Sequence, residues 1–342
     1  MRFEREPGAF VVSLDFELAW GFGNGVVEDE VQRTRILKAR GLVPQILDTF
    51  GEFDVAATWA VVGFLFAESR VDLEELSPSV RPAYDDPSLS TYVAVIGESE
   101  VDDPLHYAPS LIRAIRDSPR QEIATHTFSH YYCLEPGQSR DSFSADLEAA
   151  IAVAKGYGVE LRSIVFPRNQ HNLDYDDLLV SHGITGFRGN PRDRAWTFRD
   201  SRESRRWDKR ARRFIDAYGA PTGAGTTHWY EILQPSGLSD VRASLALSPY
   251  RPSVRFLEEW RLKRVLEGVR CAARESRIFH VWWHPHNFAS FPQQNMAFLR
   301  RILAEVSRCR SEHGLQSLTM GEVDRLVRER SVQERASIAG RR

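Results

Sequence analysis

Short apolar runs alternate with amphipathic helical segments along most of the chain. Apolar runs of roughly four to eight residues are typical of buried strands, and apolar residues three or four apart are typical of helices. Strands are predicted at 10–14, 55–63, 122–125, 161–166, 184–187 and 278–283. Helices are predicted at 33–50, 143–157, 175–182, 256–273, 297–309 and 320–330. This alternation predicts a parallel α/β sheet or barrel.

The sequence shows no internal repeat and no low-complexity linker, so one domain is predicted over residues 1–330. A long segment with several prolines, at about 67–121, is predicted to be an insertion over one end of the fold. Functional loops gather at such positions. The polar residues 331–342 are predicted to form a frayed tail.

The composition argues against several classes of partner and location. The net charge is −2, so no overall positive field attracts nucleic acid or an anionic membrane. No run of about 18 apolar residues is present, and the first residues do not resemble a signal peptide. The three cysteines are widely spaced, which suits a reducing compartment. A cytoplasmic protein with no nucleic-acid partner and no transmembrane segment is predicted.

Arginines are dense between residues 188 and 213. Acidic residues interrupt them throughout the segment. A solvated face or mobile loop is therefore favoured there over a phosphate-binding patch.

Polar residues fall just past the ends of several predicted strands. They are Asp15, His126, the pair Pro167-Arg168, and His284. In parallel barrels the carboxyl ends of the strands form the rim on which catalytic groups collect. These positions are therefore the candidates for a functional site.

His126 and His130 are four residues apart. On one turn of helix, residues at this spacing share a face, so both rings could converge on one metal ion. The spacing alone is weak evidence, because His280 and His284 repeat it. Surface or helix-capping histidines are the alternative, and without further residues they would be favoured.

The segment Asp15-Phe16-Glu17 supplies two carboxylates. Residues i and i+2 of an extended segment point the same way, so both could face one site. One carboxylate could bind an ion while the other takes a proton from its water. An acidic turn or helix cap is the alternative. The apolar run before Asp15 argues against it, since unpaired carboxylates at a buried strand end are costly unless a cation compensates.

Two further residues have a catalytic and a structural interpretation. His284 ends a predicted strand and is suited to act as a general acid, or it is a core histidine bonded to a backbone carbonyl. Arg168 could neutralise a carboxylate or polarise an oxyanion, or it forms an ordinary salt bridge.

The order of these motifs resembles the polysaccharide deacetylase family, carbohydrate esterase family 4. The most specific part is His126-Thr-Phe-Ser-His130, and residues 57–63 (ATWAVVG) resemble the family's second strand. The resemblance covers about residues 10–66 and 122–290. It implies a distorted (β/α)7-type barrel that removes N-acetyl or related acyl groups from amino sugars.

The resemblance also implies roles for individual residues. Asp15 corresponds to the base that deprotonates the metal-bound water. His126 and His130 correspond to imidazole ligands of a divalent ion, which we expect to be zinc. His284 corresponds to the acid that protonates the departing amine.

The chain departs from the family pattern at two motifs. Many members carry two adjacent aspartates, and Phe16 stands at the second position, so Glu17 is assigned as the third ligand. Members commonly carry Arg-x-Pro-Tyr, whereas this chain reads Phe-Pro-Arg-Asn at 166–169, with Arg168 displaced by two positions. Residues 186–190 match another family motif poorly. The predicted substrate-binding residues are Trp20, Asn169, Arg188 and His286. Trp282 and Trp283 also offer flat faces for a sugar ring, although core packing is favoured for at least two of the three tryptophans.

The predicted activity is removal of an N-acyl group, N-acetyl above all, from an aminosugar in surface-polysaccharide metabolism. The features resemble a cytoplasmic branch of the family. The sugar could be free, nucleotide-linked, lipid-linked or polymeric. An O-acetyl esterase, an N-deformylase and a non-catalytic carbohydrate-binding protein remain as alternatives.

Overall fold

The computed structural model describes residues 7–22, 29–192, 196, 200, 203, 206–219 and 223–339. In these ranges nine strands form one sheet. They are β1 (Ala9–Phe16), β2 (Ala57–Val61), β3 (Gln121–Thr125), β4 (Ser163–Ile164), β5 (Gly186–Phe187), β6 (Ser239–Asp240), β7 (Leu245–Ala246), β8 (Ile278–Trp283) and β9 (Gln316–Leu318).

The strands run parallel in the order β6-β5-β4-β3-β2-β1-β8-β7, and β9 pairs with β1. The sheet curls into a half-barrel surrounded by helices. The predicted distorted (β/α)7-type barrel is therefore confirmed.

The helices of the described ranges surround this sheet. They are α1 (Glu30–Glu52), α2 (Arg70–Leu76), α3 (Pro109–Asp117), α4 (Arg140–Gly156), α5 (Asp176–Ser181), α6 (Trp207–Gly219), α7 (Glu258–Glu275), α8 (Pro285–Phe288), α9 (Pro292–His313) and α10 (Met320–Ala339). Of these, α2 and α3 lie in the segment predicted as an insertion. Helix α10 includes residues 331–339 of the predicted tail, and 340–342 lie outside the described residues. No helix in the described part of the chain is both long and apolar enough to cross a membrane.

Strand β1 lies in the middle of the sheet and is buried on both faces. Its even-numbered residues from Phe10 to Phe16 belong to the larger core cluster, which the surrounding helices cover. Ala9 and Val11 belong to a separate cluster with residues of β2, β3 and α10. Because side chains alternate along a strand, Ser13 and Asp15 continue the row that begins with Ala9 and Val11.

Candidate active site

Glu17, His126 and His130 meet at the carboxyl end of the sheet. The Oε2 atom of Glu17 lies 3.1 Å from Nε2 of His130 and 3.4 Å from Nε2 of His126. One donor atom from each residue lies within 4.8 Å of the others, and all three side chains are buried. A carboxylate and two imidazoles at this spacing form a candidate metal centre.

The segment that carries both histidines is a loop, so the predicted turn of helix is wrong. Thr127 and His130 adopt positive φ angles of 64° and 56°. Asp146 on α4 accepts hydrogen bonds from two backbone N–H groups of the loop, at 2.7 and 3.0 Å. These bonds take the place of the helical ones. The loop still brings the rings of His126 and His130 together, with centroids 5.1 Å apart.

The second nitrogen of each imidazole has its own partner. Nδ1 of His126 donates to the carbonyl of Val165 at 2.8 Å. Nδ1 of His130 lies 3.1 Å from the hydroxyl of Tyr132. Such bonds orient the rings of metal-binding histidines, and here they leave both Nε2 atoms directed toward Glu17.

The electrostatics of the cluster favour the protonation states that bind a cation. Burial lowers the pKa of His130 to about 4, although Glu17 opposes the shift. Burial also raises the pKa of Glu17, but His284, His126 and His130 together outweigh it and hold that pKa well below its ordinary value. A neutral imidazole and an ionised carboxylate are the states that a divalent metal requires. The donor set therefore fits the metal that the sequence predicts.

Asp15 forms a buried two-point ion pair with Arg188. The distances are 2.5 Å from Nη1 to Oδ1 and 2.8 Å from Nη2 to Oδ2. Nη2 also donates to Oδ1 of Asn169 at 3.2 Å, and the guanidinium lies 4.2 Å from the Trp282 ring centroid. Burial raises the pKa of Asp15, but Arg188 and then His284 outweigh it, so the pKa lies below its ordinary value.

The position of Arg188 corrects one prediction. The segment 188–213 was expected to be solvated, yet the Arg188 side chain is 0% exposed, because the charge of Asp15 compensates its burial. Arg192, four residues on, is largely exposed, and residues 207–219 form α6. Residues 193–195, 197–199, 201–202 and 204–205 lie outside the described residues. Arg188 follows the last residue of β5, so the strand-end rule that indicated Asp15 applies to it as well. The predicted contact of Arg188 with substrate stays a prediction.

His284 completes the site. Its Nε2 atom lies 3.4 Å from Oε1 of Glu17 and 3.7 Å from Oδ2 of Asp15, so both carboxylates face it. Its side chain is 23% exposed, and Nδ1 lies 3.4 Å from the amide of Asn287. The alternative of a core histidine bonded to a backbone carbonyl describes His280 instead, whose Nδ1 lies 2.8 Å from the carbonyl of residue 241.

Arg168 lies beside the candidate metal ligands. Its guanidinium is 4.0 Å from the Tyr132 ring centroid, and Nη1 is 3.9 Å from Oε1 of Glu135. Arg168 itself adopts a φ of 53°. The guanidinium that neutralises Asp15 belongs to Arg188. A catalytic role of Arg168 stays a prediction.

The three tryptophans considered for sugar stacking are all buried. Trp20 donates from Nε1 to a backbone carbonyl at 2.9 Å, and Trp283 stacks on Phe288 at 5.3 Å between centroids. Trp282 packs against the guanidinium of Arg188. These contacts agree with core packing, and a sugar contact of Trp20 stays a prediction.

Asn169 and His286 lie next to the catalytic candidates. Asn169 adopts a φ of 55° and its side-chain oxygen accepts the hydrogen bond from Arg188. The ring of His286 lies 4.9 Å from that of His284, and burial lowers the pKa of His286 to about 3. Their contacts with substrate stay predictions.

Residues 38–187 match the family model of polysaccharide deacetylases. The matched range contains His126 and His130, whereas Asp15, Glu17 and His284 lie outside it. No curated protein matches the chain in sequence.

Several solved structures share the fold. A putative polysaccharide deacetylase from Mycobacterium smegmatis is 14% identical, with a TM-score of 0.62 over 97% of this chain and 94% of that one. A probable polysaccharide deacetylase from Pseudomonas aeruginosa PAO1 is 10% identical, with a TM-score of 0.55 over 93% and 89%. The allantoinase PuuE is 11% identical, with a TM-score of 0.54 over 93% and 89%. Identities this low show a common fold alone.

Proposed function

We propose that this protein is a metal-dependent hydrolase that removes an N-acetyl group from an aminosugar. The observation that carries the proposal is the buried cluster of Glu17, His126 and His130, with Asp15 and His284 at its edge. A binding protein needs neither a base nor an acid beside a metal centre. The family-model match over residues 38–187 supports the choice of chemistry.

Glu17, His126 and His130 would hold the ion through one oxygen and two nitrogens. Two imidazoles and a carboxylate are a common donor set for catalytic zinc. The ion would supply Lewis-acid polarisation of the acyl carbonyl and of the attacking water.

Asp15 is proposed to accept the proton of the attacking water. Its low pKa keeps it ionised at neutral pH, and Arg188 holds both of its oxygens in place. A carboxylate offers about four lone-pair positions, so the two bonds from Arg188 leave others free. A low pKa makes Asp15 a weak base, so its contribution is ascribed to position more than to basicity.

His284 is proposed to donate a proton to the departing nitrogen. It borders both carboxylates and keeps part of its ring open to solvent. Proton transfers by placed groups of this kind typically contribute about 10²- to 10⁴-fold to rate. Replacement of His284 by alanine should therefore lower kcat by that order and leave bound metal unchanged.

The decisive experiment measures metal content and product release together. Zinc-loaded protein is incubated with N-acetyl, N-formyl and O-acetyl sugars, and acetate and formate are quantified. We expect acetate from the N-acetyl sugar, and loss of both metal and activity in His126→Ala and Glu17→Gln. Asp15→Asn should lose activity and keep the metal. His182→Ala is the matched control, since His182 pairs with Glu148 outside the site.

Other results would change the assignment. Full activity in metal-stripped protein would contradict it. Acetate from the O-acetyl sugar alone would indicate an esterase, and formate a deformylase. Saturable sugar binding without turnover would indicate a carbohydrate-binding protein.

The proposal includes a cytoplasmic role in surface-polysaccharide metabolism. Cys133, Cys271 and Cys309 are free thiols, which suits a reducing compartment. Comparing kcat/KM for free, nucleotide-linked, lipid-linked and polymeric forms of one N-acetyl sugar would identify the carrier.

A further inference from the structure

A chain of buried hydrogen bonds lies behind Arg188. Nη1 of Arg188 lies 3.1 Å from Oγ of Ser13, which lies 2.8 Å from Nε2 of His280. Nδ1 of His280 lies 2.8 Å from the carbonyl of Val241. Ser13 and His280 are fully buried. The chain thus joins strands β1 and β8 and the residue after β6 to the cation that holds Asp15.

The chemistry of the partners fixes the direction of each bond. The carbonyl of Val241 can only accept, so Nδ1 of His280 carries a proton. Burial lowers the pKa of His280 to about 3, so the ring is neutral at physiological pH and its Nε2 must accept. The hydroxyl proton of Ser13 therefore points at His280. The oxygen lone pairs of Ser13 remain for Arg188, whose nitrogens can only donate.

This arrangement restrains the Arg188 guanidinium from a second side. One edge engages both oxygens of Asp15, Nη2 also reaches Asn169, and one face packs on Trp282. Ser13 provides an acceptor from the central strand itself. Because Ser13 donates its hydroxyl proton to Nε2 of His280, that proton does not point toward the guanidinium. The bond is therefore fixed in direction.

We propose that Ser13 and His280 are positioning residues, which fix Arg188 and through it the carboxylate of Asp15 in the orientation needed for proton transfer. The catalytic part of this inference rests on the proposed function, in which Asp15 is the reacting carboxylate. The claim that Ser13 and His280 fix the orientation of Arg188 does not depend on the proposed function.

A pair of equal-sized substitutions at Ser13 tests the hydroxyl directly. Ser13→Val and Ser13→Thr add similar volume to the same buried position, but only threonine keeps the oxygen. Misplacement of a reacting group costs roughly 10- to 100-fold in rate. We expect Ser13→Val to lower kcat by that order with KM unchanged, and Ser13→Thr to restore most of the loss. Ser13→Ala serves the same purpose if the larger residues prevent folding.

His280 should act in series with Ser13. His280→Leu removes the acceptor, so it should lower kcat about as much as Ser13→Val does. The double variant should show little further loss, because residues in one hydrogen-bond chain are not additive. Additive losses would contradict the proposal that Ser13 and His280 act through one hydrogen-bond chain.

A second readout does not depend on activity. In metal-free protein labelled with ¹⁵N-arginine, the restrained guanidinium of Arg188 should give separate Nη signals, assigned by their loss in Arg188→Lys. These signals should broaden or merge in Ser13→Val, Ser13→Ala and His280→Leu. Unchanged signals in those variants would overturn the proposal. If the wild-type protein proves inactive while the signals behave as expected, the proposed function is wrong, but the positioning of Arg188 by Ser13 and His280 is supported.

Discussion

Removal of the Arg188 guanidinium should leave a buried carboxylate without its compensating charge. In the Arg188–Asp15 pair the side chains are 0% and 3% exposed, and two direct bonds join them. Breaking a buried pair by removing one partner costs about 3–5 kcal/mol. Arg188→Met keeps most of the side-chain volume, so we expect the free energy of unfolding to fall by about 3 kcal/mol or more at pH 7.

The pH dependence of that loss follows from the pKa of Asp15. In the wild type this pKa is lowered, so Asp15 contributes stability above its ordinary pKa of about 4, which is lost as pH falls through the folded value. Without Arg188, burial is the largest remaining influence and it raises the pKa of Asp15. The carboxyl then protonates more readily, so the difference between wild type and Arg188→Met should shrink from pH 7 to pH 5.

Urea unfolding of metal-free protein at pH 7 and pH 5 measures both quantities. Arg192→Met is the matched control, because the Arg192 side chain is 58% exposed and its pair with Glu231 should contribute at most about 1 kcal/mol. Adding Asp15→Asn to Arg188→Met should recover part of the loss. A loss of stability in Arg188→Met no larger than that in the control, or one of the same size at both pH values, would contradict this prediction.

Three further predictions concern the proposed metal centre and acid stability. Tyr132→Phe removes the hydroxyl next to Nδ1 of His130, and should weaken zinc binding about 10- to 100-fold in a chelator competition assay. An unchanged zinc affinity would show that this hydroxyl does not support the binding of zinc by His130. Gly21→Ala places a Cβ 2.0 Å from Oε1 of Glu17, so it should displace that ligand and reduce zinc affinity while the circular dichroism spectrum stays that of the wild type. His280 has its pKa lowered to about 3, so its stabilising contribution is present above about 6.5 and is lost as pH falls, by up to about 1.4 kcal/mol per pH unit. Urea unfolding between pH 7 and 5 should show that the free energy of unfolding depends less steeply on pH in His280→Gln than in the wild type. An equal pH dependence in the two proteins would refute this.

The fold could be predicted where single elements carry a strong local pattern. The six-residue apolar run 278–283 is β8 with the predicted bounds, and the prediction at 33–50 lies within α1. By contrast, β6 and β7 contain two residues each and follow no detectable period. Hydrogen bonds with neighbouring strands define them, and such bonds cannot be predicted from a local pattern of apolar residues.

The site could be predicted in part for a related reason. The ends of apolar runs can be located in a sequence, so position alone indicates Asp15, His126 and His284 as candidates. The partner of Asp15 is separated from it by 173 residues, and only the curled sheet brings Arg188 there. The loop conformation of 126–130 also depends on a distant group, the carboxylate of Asp146.

The division of roles between the two carboxylates depends on their partners, which alternation along β1 cannot reveal. Asp15 and Glu17 both face His284, so direction alone does not distinguish them. Arg188 engages both oxygens of Asp15, and its charge repels a cation at that carboxylate. Oε2 of Glu17 faces two imidazole nitrogens. A cation is therefore favoured at Glu17 and disfavoured at Asp15, which supports the proposals that Glu17 is the metal ligand and that Asp15 is the base.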